Sequence, residues 1–218
     1  MKYTTAVFDL DGTITDSCPG ILNSIRYALK KRGIDEPGEE VLRSFIGPPL
    51  QQQFQKVFHL SEEEGAGMVS IYREYYGEKG IFENRVYDGV PEMLRQLKAA
   101  GIKVLMATSK PEKYAGQIAE HFGFDQYFDF IGGACMDGTR TVKHEVIEYV
   151  LETCGISEAD RKNTVMIGDR RHDIEGAKQS GLHSLGVLYG YGSREELEHA
   201  GAEAIAETPA DVAGQILG

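Results

Sequence analysis

Hydrophobic and polar positions follow two different rhythms along the chain. Residues 4–10 (TTAVFDL), 102–108 (IKVLMAT), 164–169 (TVMIGD) and 183–189 (HSLGVLY) are short apolar runs rich in β-branched residues. Such runs predict strands buried on both faces. Between and after them lie 90–101 (VPEMLRQLKAAG), 111–123 (PEKYAGQIAEHFG), 142–155 (VKHEVIEYVLETCG) and 172–181 (HDIEGAKQSG), whose apolar positions recur at helical spacing. The first two carry a proline in the first turn and all four close on a glycine, the usual punctuation of a helix. Strands alternating with helices predict an α/β fold, with a parallel sheet covered by helices on both faces.

Residues 17–80 break the alternation. The segments 19–33, 38–47, 49–60 and 61–80 each carry a helical apolar period and end on Gly, Pro or a polar stop, and no strand pattern intervenes. A block of about four helices is therefore expected as an insert following the first strand. The core would comprise residues 1–16 and 82–218 and the all-helical insert residues 17–81. In open α/β sheets ligands bind beyond the carboxyl ends of the strands, so an insert at this point would sit over that edge.

The chain has 218 residues, 41% hydrophobic and 26% charged, enough for a core domain with a smaller insert. The formal net charge of −11 argues against nucleic-acid polymers and anionic membranes as partners, since both need a cationic footprint. Cys18, Cys135 and Cys154 are odd in number, far apart and without a CxxC, which argues against a disulfide framework or a structural zinc site. The opening residues become acidic too soon for a signal peptide, and no apolar run reaches the ~20 residues a membrane helix needs. A reduced, cytoplasmic setting is expected, with the protein a monomer or homodimer.

The carboxyl ends of the predicted strands would bring Asp9 and Asp11, Thr108 and Ser109, and Asp169 with Asp173 to one edge of the sheet. Lys143, at the start of a helix, could point to the same place. Each acid follows an apolar run, so the group would be at least half buried, and buried charge must be paired or bound to metal. A hard divalent cation with oxygen ligands resolves the repulsion, and Mg²⁺ is the natural choice. Asp9, Asp11, Asp169 and Asp173 are the candidate ligands.

These stretches resemble the four motifs of the haloacid dehalogenase-like hydrolases: DLDGTITD (9–16), ATSK (107–110), Lys143, and GDRRHD (168–173), in that order across essentially the whole chain. The resemblance implies a Rossmann-like core with a helical cap domain, here residues 17–81. It implies that Asp9 is the nucleophile that forms an aspartyl-phosphate. Asp11 would be the general acid and then the base. Thr108, Ser109 and Lys143 would bind the phosphoryl group, and Asp169 would complete a Mg²⁺ shell, with Asp173 a ligand either directly or through water. Lys110 is the alternative to Lys143 as the cation, because His144 stands where many relatives have proline. Dehalogenases of this family lack the acid at the position of Asp11, so its presence favours phosphoryl transfer.

The stretches 72–94, 107–115 and 121–147 look most like the 5′-nucleotidase-like branch, and next most like phosphoglycolate phosphatase. The expected activity is therefore a Mg²⁺-dependent hydrolysis of a small-molecule phosphomonoester. The alternatives are phosphoglycolate phosphatase, a sugar phosphomutase using the same residues and, last, a non-catalytic phosphate-binding protein. In the cap, RSFIGPPL (43–50) reads as a rigid loop between helices. Arg43 and Gly47 are its candidate substrate residues, although Arg43 could equally be a surface arginine. Tyr72, Tyr75 and Tyr76 are spaced to pack one helix face rather than to stack on a base. The GYGSREE stretch (190–196) faintly resembles a dinucleotide loop but lacks the third glycine and follows the last strong strand instead of the first.

Overall fold

The computed structural model describes residues 2–47, 49–137 and 139–218. The chain runs through β1 (Thr5–Phe8) and β2 (Thr15–Asp16), then α1 (Cys18–Arg32), α2 (Glu39–Arg43), α3 (Leu50–Phe58) and α4 (Glu62–Tyr75). It returns through β3 (Arg85–Val86) to α5 (Val90–Ala99), β4 (Lys103–Pro111), α6 (Glu112–Phe122), β5 (Phe130–Ala134) and α7 (Lys143–Thr153). The last part comprises β6 (Thr164–Gly168), α8 (Arg171–Gln179), β7 (His183–Val187), α9 (Arg194–Ala200), β8 (Ala204–Ala206) and α10 (Pro209–Leu217).

Six strands form one sheet in the order β5-β4-β1-β6-β7-β8, and every pairing in it is parallel. The first strand lies between β4 and β6, so the sequence order reverses at β1. Phe8 is in register with Met106 on one side and Ile167 on the other. The next residues along, Asp9, Ala107 and Gly168, therefore emerge side by side, and the site is assembled here.

Strand alternation sends Val7, Leu105, Ala107 and Met166 to one face, where Val146, Ile147 and Val150 of α7 and Ala177 of α8 complete a solvent-free cluster. On the opposite side α5 packs against β4 and α10. The apolar spacing in α5, with Val90, Met93, Leu94 and Leu97 all buried, is the one its sequence pattern predicts. The architecture is the expected Rossmann-like parallel sheet with helices around it.

Two strands of the six-stranded sheet and two helices had no clear sequence signal. In β5 (FIGGA) paired glycines dilute the β-propensity, and β8 is three residues long. The elements α9 and α10 lie beyond the last strong strand pattern.

The chain divides into two compact units, one formed by the residues up to Asp16 together with Val86–Gly218, the other by Ser17–Arg85. The return to the core thus falls at Arg85–Val86, four residues later than the sequence pattern placed it. The reason is local. Glu83 belongs to the helical unit through its carbonyl, which accepts from Gly20 N at 2.9 Å, and its carboxylate, which accepts from Asn23 and Tyr75 at 2.9 and 2.7 Å. Ile81 just before it is fully buried.

Within that unit α4 packs against α1 and α3. The Ser61 hydroxyl accepts from Glu64 N, and the Glu64 carboxylate accepts from Ser61 N, the reciprocal cap that starts a helix. The helix expected to reach residue 80 stops at Tyr75 and continues as one π turn, Tyr76–Gly80. Tyr72 and Tyr76 are buried and stacked on each other at 5.2 Å, so these tyrosines serve packing. Pro48 of the expected rigid loop lies outside the described residues. Among the described residues no helix is long and apolar enough to cross a membrane.

Candidate active site

Asp9 follows β1 directly, and its N–H donates to Ile167 O at 2.9 Å, extending the ladder by one rung. This fixes its backbone at the sheet edge. The chain then turns sharply, and the carbonyl of Leu10 accepts from the N–H groups of Thr13, Ile14 and Thr15. Gly12 sits in this turn at φ +82°, where a Cβ would stand 2.2 Å from Asp169 Oδ2. Both the left-handed backbone and the close approach demand glycine.

Lys143 is the first residue of α7, and its side chain is buried. Its Nζ donates to Asp9 Oδ1 at 2.7 Å and to Ala107 O at 3.1 Å. It also lies 2.8 Å from Asp173 Oδ1, a second buried ion pair. His144 does not disturb this helix start. The Glu145 carboxylate caps it by accepting from the N–H groups of Thr141 and Val142. His144 itself reaches Ser180 at 3.1 Å.

Lys110 is the second cation. Its side chain is 6% exposed and its Nζ lies 2.8 Å from Asp11 Oδ2. The two lysines weighed as alternatives are therefore both present, each on a different aspartate. Thr108 is buried, and its hydroxyl accepts from Lys110 N at 3.2 Å. Ser109 between them is exposed, at the point where the β4–β5 register shifts.

Asp169 and Asp173 are almost fully buried, and Asp9, Asp169 and Asp173 can each offer an oxygen within 4.8 Å of the others. Burial comes first among the causes that shift them. It raises Asp169 well above the ordinary carboxylate value, the charges of Asp173 and Asp9 adding to the effect. It raises Asp173 to about 6 despite the opposing pull of Lys143. For Lys143 burial works in the lowering direction, but the charges of Asp173 and Asp9 outweigh it and hold the ammonium above its usual value.

This group fits a divalent cation. Asp9, Asp11, Asp169 and Asp173 against Lys110 and Lys143 leave two negative charges when all are ionised. Asp169 Oδ1 and Asp11 Oδ1 are buried without a hydrogen-bond partner. Carboxylate oxygens are the donors hard cations prefer.

A pH dependence follows. A carboxylate whose folded pKa is raised contributes stability that is complete below its unfolded value and is lost as pH rises through the folded value. For Asp173 that window runs from 3.8 to about 6, and Asp169 acts in the same sense. Across this range these two groups are expected to lower the stability of the metal-free protein. Added Mg²⁺ should then raise Tm more at about pH 7.5 than at about pH 5. Melting curves in EDTA and in Mg²⁺ check this, and a Tm rise of equal size at both pH values would contradict it.

The helical unit carries the two other candidates. Arg43 is 58% exposed at its side chain, 3.3 Å from Glu39 and 3.6 Å from Cys18 Sγ. Gly47 is exposed, with φ +106°.

The family model of the haloacid dehalogenase-like hydrolases matches residues 6–187, and the chain belongs to that family. A 5′-nucleotidase of Pseudomonas aeruginosa is 45% identical over 197 residues, covering 90% of this chain and 88% of that protein. Tyrosine-protein kinase PtkA of Mycobacterium tuberculosis is 36% identical over 192 residues, covering 88% of this chain and 64% of PtkA. The crystal structure of a predicted phosphatase from Clostridium acetobutylicum superposes with a TM-score of 0.91 at 42% identity, covering 99% and 98% of the two chains. The chain is thus a phosphoric monoester hydrolase of the haloacid dehalogenase-like type.

Proposed function

We propose that the protein is a Mg²⁺-dependent phosphatase that hydrolyses a small phosphomonoester through an aspartyl-phosphate on Asp9, with nucleoside 5′-monophosphates as the substrate class. The observation that carries the mechanism is the Lys143–Asp9 hydrogen bond at 2.7 Å beside two further buried aspartates. The 45% identity to a 5′-nucleotidase along nearly the whole chain supports the substrate class.

Asp9, held in place by Lys143, attacks phosphorus. The ester P–O bond breaks, and Asp11 gives its proton to the leaving oxygen. Asp11 then takes a proton from the water that attacks the same phosphorus, which releases inorganic phosphate and regenerates Asp9. Thr108 and Lys143 donate to the phosphoryl oxygens as charge builds on them. Lys110 holds Asp11 by Oδ2 at 2.8 Å. Asp9, Asp169, Asp173 and the main-chain carbonyl of Asp11 would hold Mg²⁺, whose charge offsets the approach of an anionic nucleophile to an anionic substrate. Arg43 and Gly47 are proposed as the cap residues that meet the rest of the substrate.

Phosphate release measures this directly. The panel holds nucleoside 5′-monophosphates, 2-phosphoglycolate, hexose phosphates and p-nitrophenyl phosphate, each with Mg²⁺ or EDTA. The highest kcat/KM is expected on nucleotides, with loss in EDTA. A preference for phosphoglycolate would keep the mechanism and replace the substrate. Hexose phosphate interconversion without phosphate release would mean a mutase. The likeness to PtkA adds an arm with labelled ATP, in which label on a tyrosine would contradict the hydrolase reading.

A further inference from the structure

The GYGS stretch after β7, set aside as a dinucleotide loop, packs on the aspartate group. The N–H of Tyr191 donates to Asp169 Oδ2 at 2.7 Å, and the Tyr191 hydroxyl donates to Asp16 Oδ1 at 3.0 Å. The glycines on either side make this approach possible. A Cβ on Gly190 would stand 2.2 Å from Gly12 O and 2.4 Å from Asp169 Cβ, and one on Gly192 would stand 1.9 Å from Asp169 O. No side chain larger than hydrogen fits at either position while the loop stays where it is.

Granted the divalent-cation site proposed above, we propose that Tyr191 is a positioning residue for Asp169. Its N–H occupies Oδ2, and Oδ1, buried without a partner, is left as the oxygen for the cation. Its hydroxyl anchors the loop to Asp16, the end of β2 and the last core residue before the chain passes into the helical unit. The loop therefore ties the orientation of a buried carboxylate to the strand by which the chain leaves the core. Hydrogen bonds of this kind around ligating carboxylates orient them, and their loss commonly costs about 10-fold or more in metal affinity.

Tyr191→Phe removes the hydroxyl while keeping the N–H, the ring and both glycines. Titration calorimetry with Mg²⁺ alone is expected to show Kd raised about 10-fold. At limiting Mg²⁺, kcat/KM should fall by a similar factor, and saturating Mg²⁺ should restore it. Asp16→Ala should raise Kd in the same direction as Tyr191→Phe, and the double variant should cost less than the sum of the two, since the bond between them is shared. Asp16→Asn keeps an acceptor and should recover part of the affinity.

A Tyr191→Phe protein that binds Mg²⁺ within about twofold of wild type would overturn the assignment. So would a lower Tm in EDTA with an unchanged Kd, which would make the bond merely structural. A wild-type protein that neither binds Mg²⁺ nor needs it for turnover would instead remove the cation site itself, an outcome read in the wild-type arm alone.

Discussion

Asp9→Asn is expected to lower kcat by on the order of 10⁴-fold or more, with the fold intact. The amide has the shape of the carboxylate but neither its charge nor its nucleophilicity, so no covalent intermediate forms. Stability should respond in the opposite direction. Asp9 shares its surroundings with Asp169 and Asp173, and removing one of three close negative charges relieves repulsion, while Lys143 keeps Asp173 as a partner. In EDTA the variant should therefore melt at or above the wild-type temperature, and its Tm should rise less on adding Mg²⁺. Phosphate release and paired melting curves measure both effects, with Asp9→Ala as a check that the amide itself is not responsible. Turnover within tenfold of wild type in either variant would remove Asp9 from the role of nucleophile.

Lys143→Met should have the largest effect on stability. The lysine lies against Asp9 and Asp173 and against the Ala107 carbonyl, all of them largely buried. Breaking a buried pair leaves the other partner charged and unpaired, a cost of about 3–5 kcal/mol. For a chain of this size the Tm in EDTA should drop by about 10 °C. Two conditions should recover part of the loss. At about pH 5, below the raised Asp173 value of about 6, the carboxylates take up protons and the repulsion falls. Saturating Mg²⁺ supplies the missing positive charge. Turnover should fall about 10²–10³-fold even where the protein is fully folded, because a donor to the transferring phosphoryl is gone. A variant that melts like wild type in EDTA at about pH 7.5 would show that the buried charges are balanced by some other group.

Much of the fold was legible in the sequence because the strongest signals are local. The buried strands are continuous apolar runs, and α5, α6 and α7 carry a helical period with proline or glycine at their ends. The insert was legible as a block without strands. Weak signals failed where a segment depends on its neighbours. The β5 strand is held by pairing with β4 despite its two glycines, and the end of the helical unit is set by bonds from Gly20, Asn23 and Tyr75 to Glu83, none of which a local pattern contains.

The candidate site divides in the same way. Asp9, Asp11, Thr108, Lys143, Asp169 and Asp173 could be named from the chain alone, because each stands at the end of an apolar run or the start of a helix and also falls in a recognisable motif. Their convergence follows from parallel strands delivering their carboxyl ends to one edge. Spacing could not say which face of β4 looks into the site. The folded strand decides that, burying Thr108 and Lys110 and leaving Ser109 exposed. Nor could it pair Lys110 with Asp11, or reveal that the GYG loop lies on Asp169, 22 residues away. Those contacts depend on where separate segments meet in space, and a linear pattern records the chemistry of each segment without recording its neighbours.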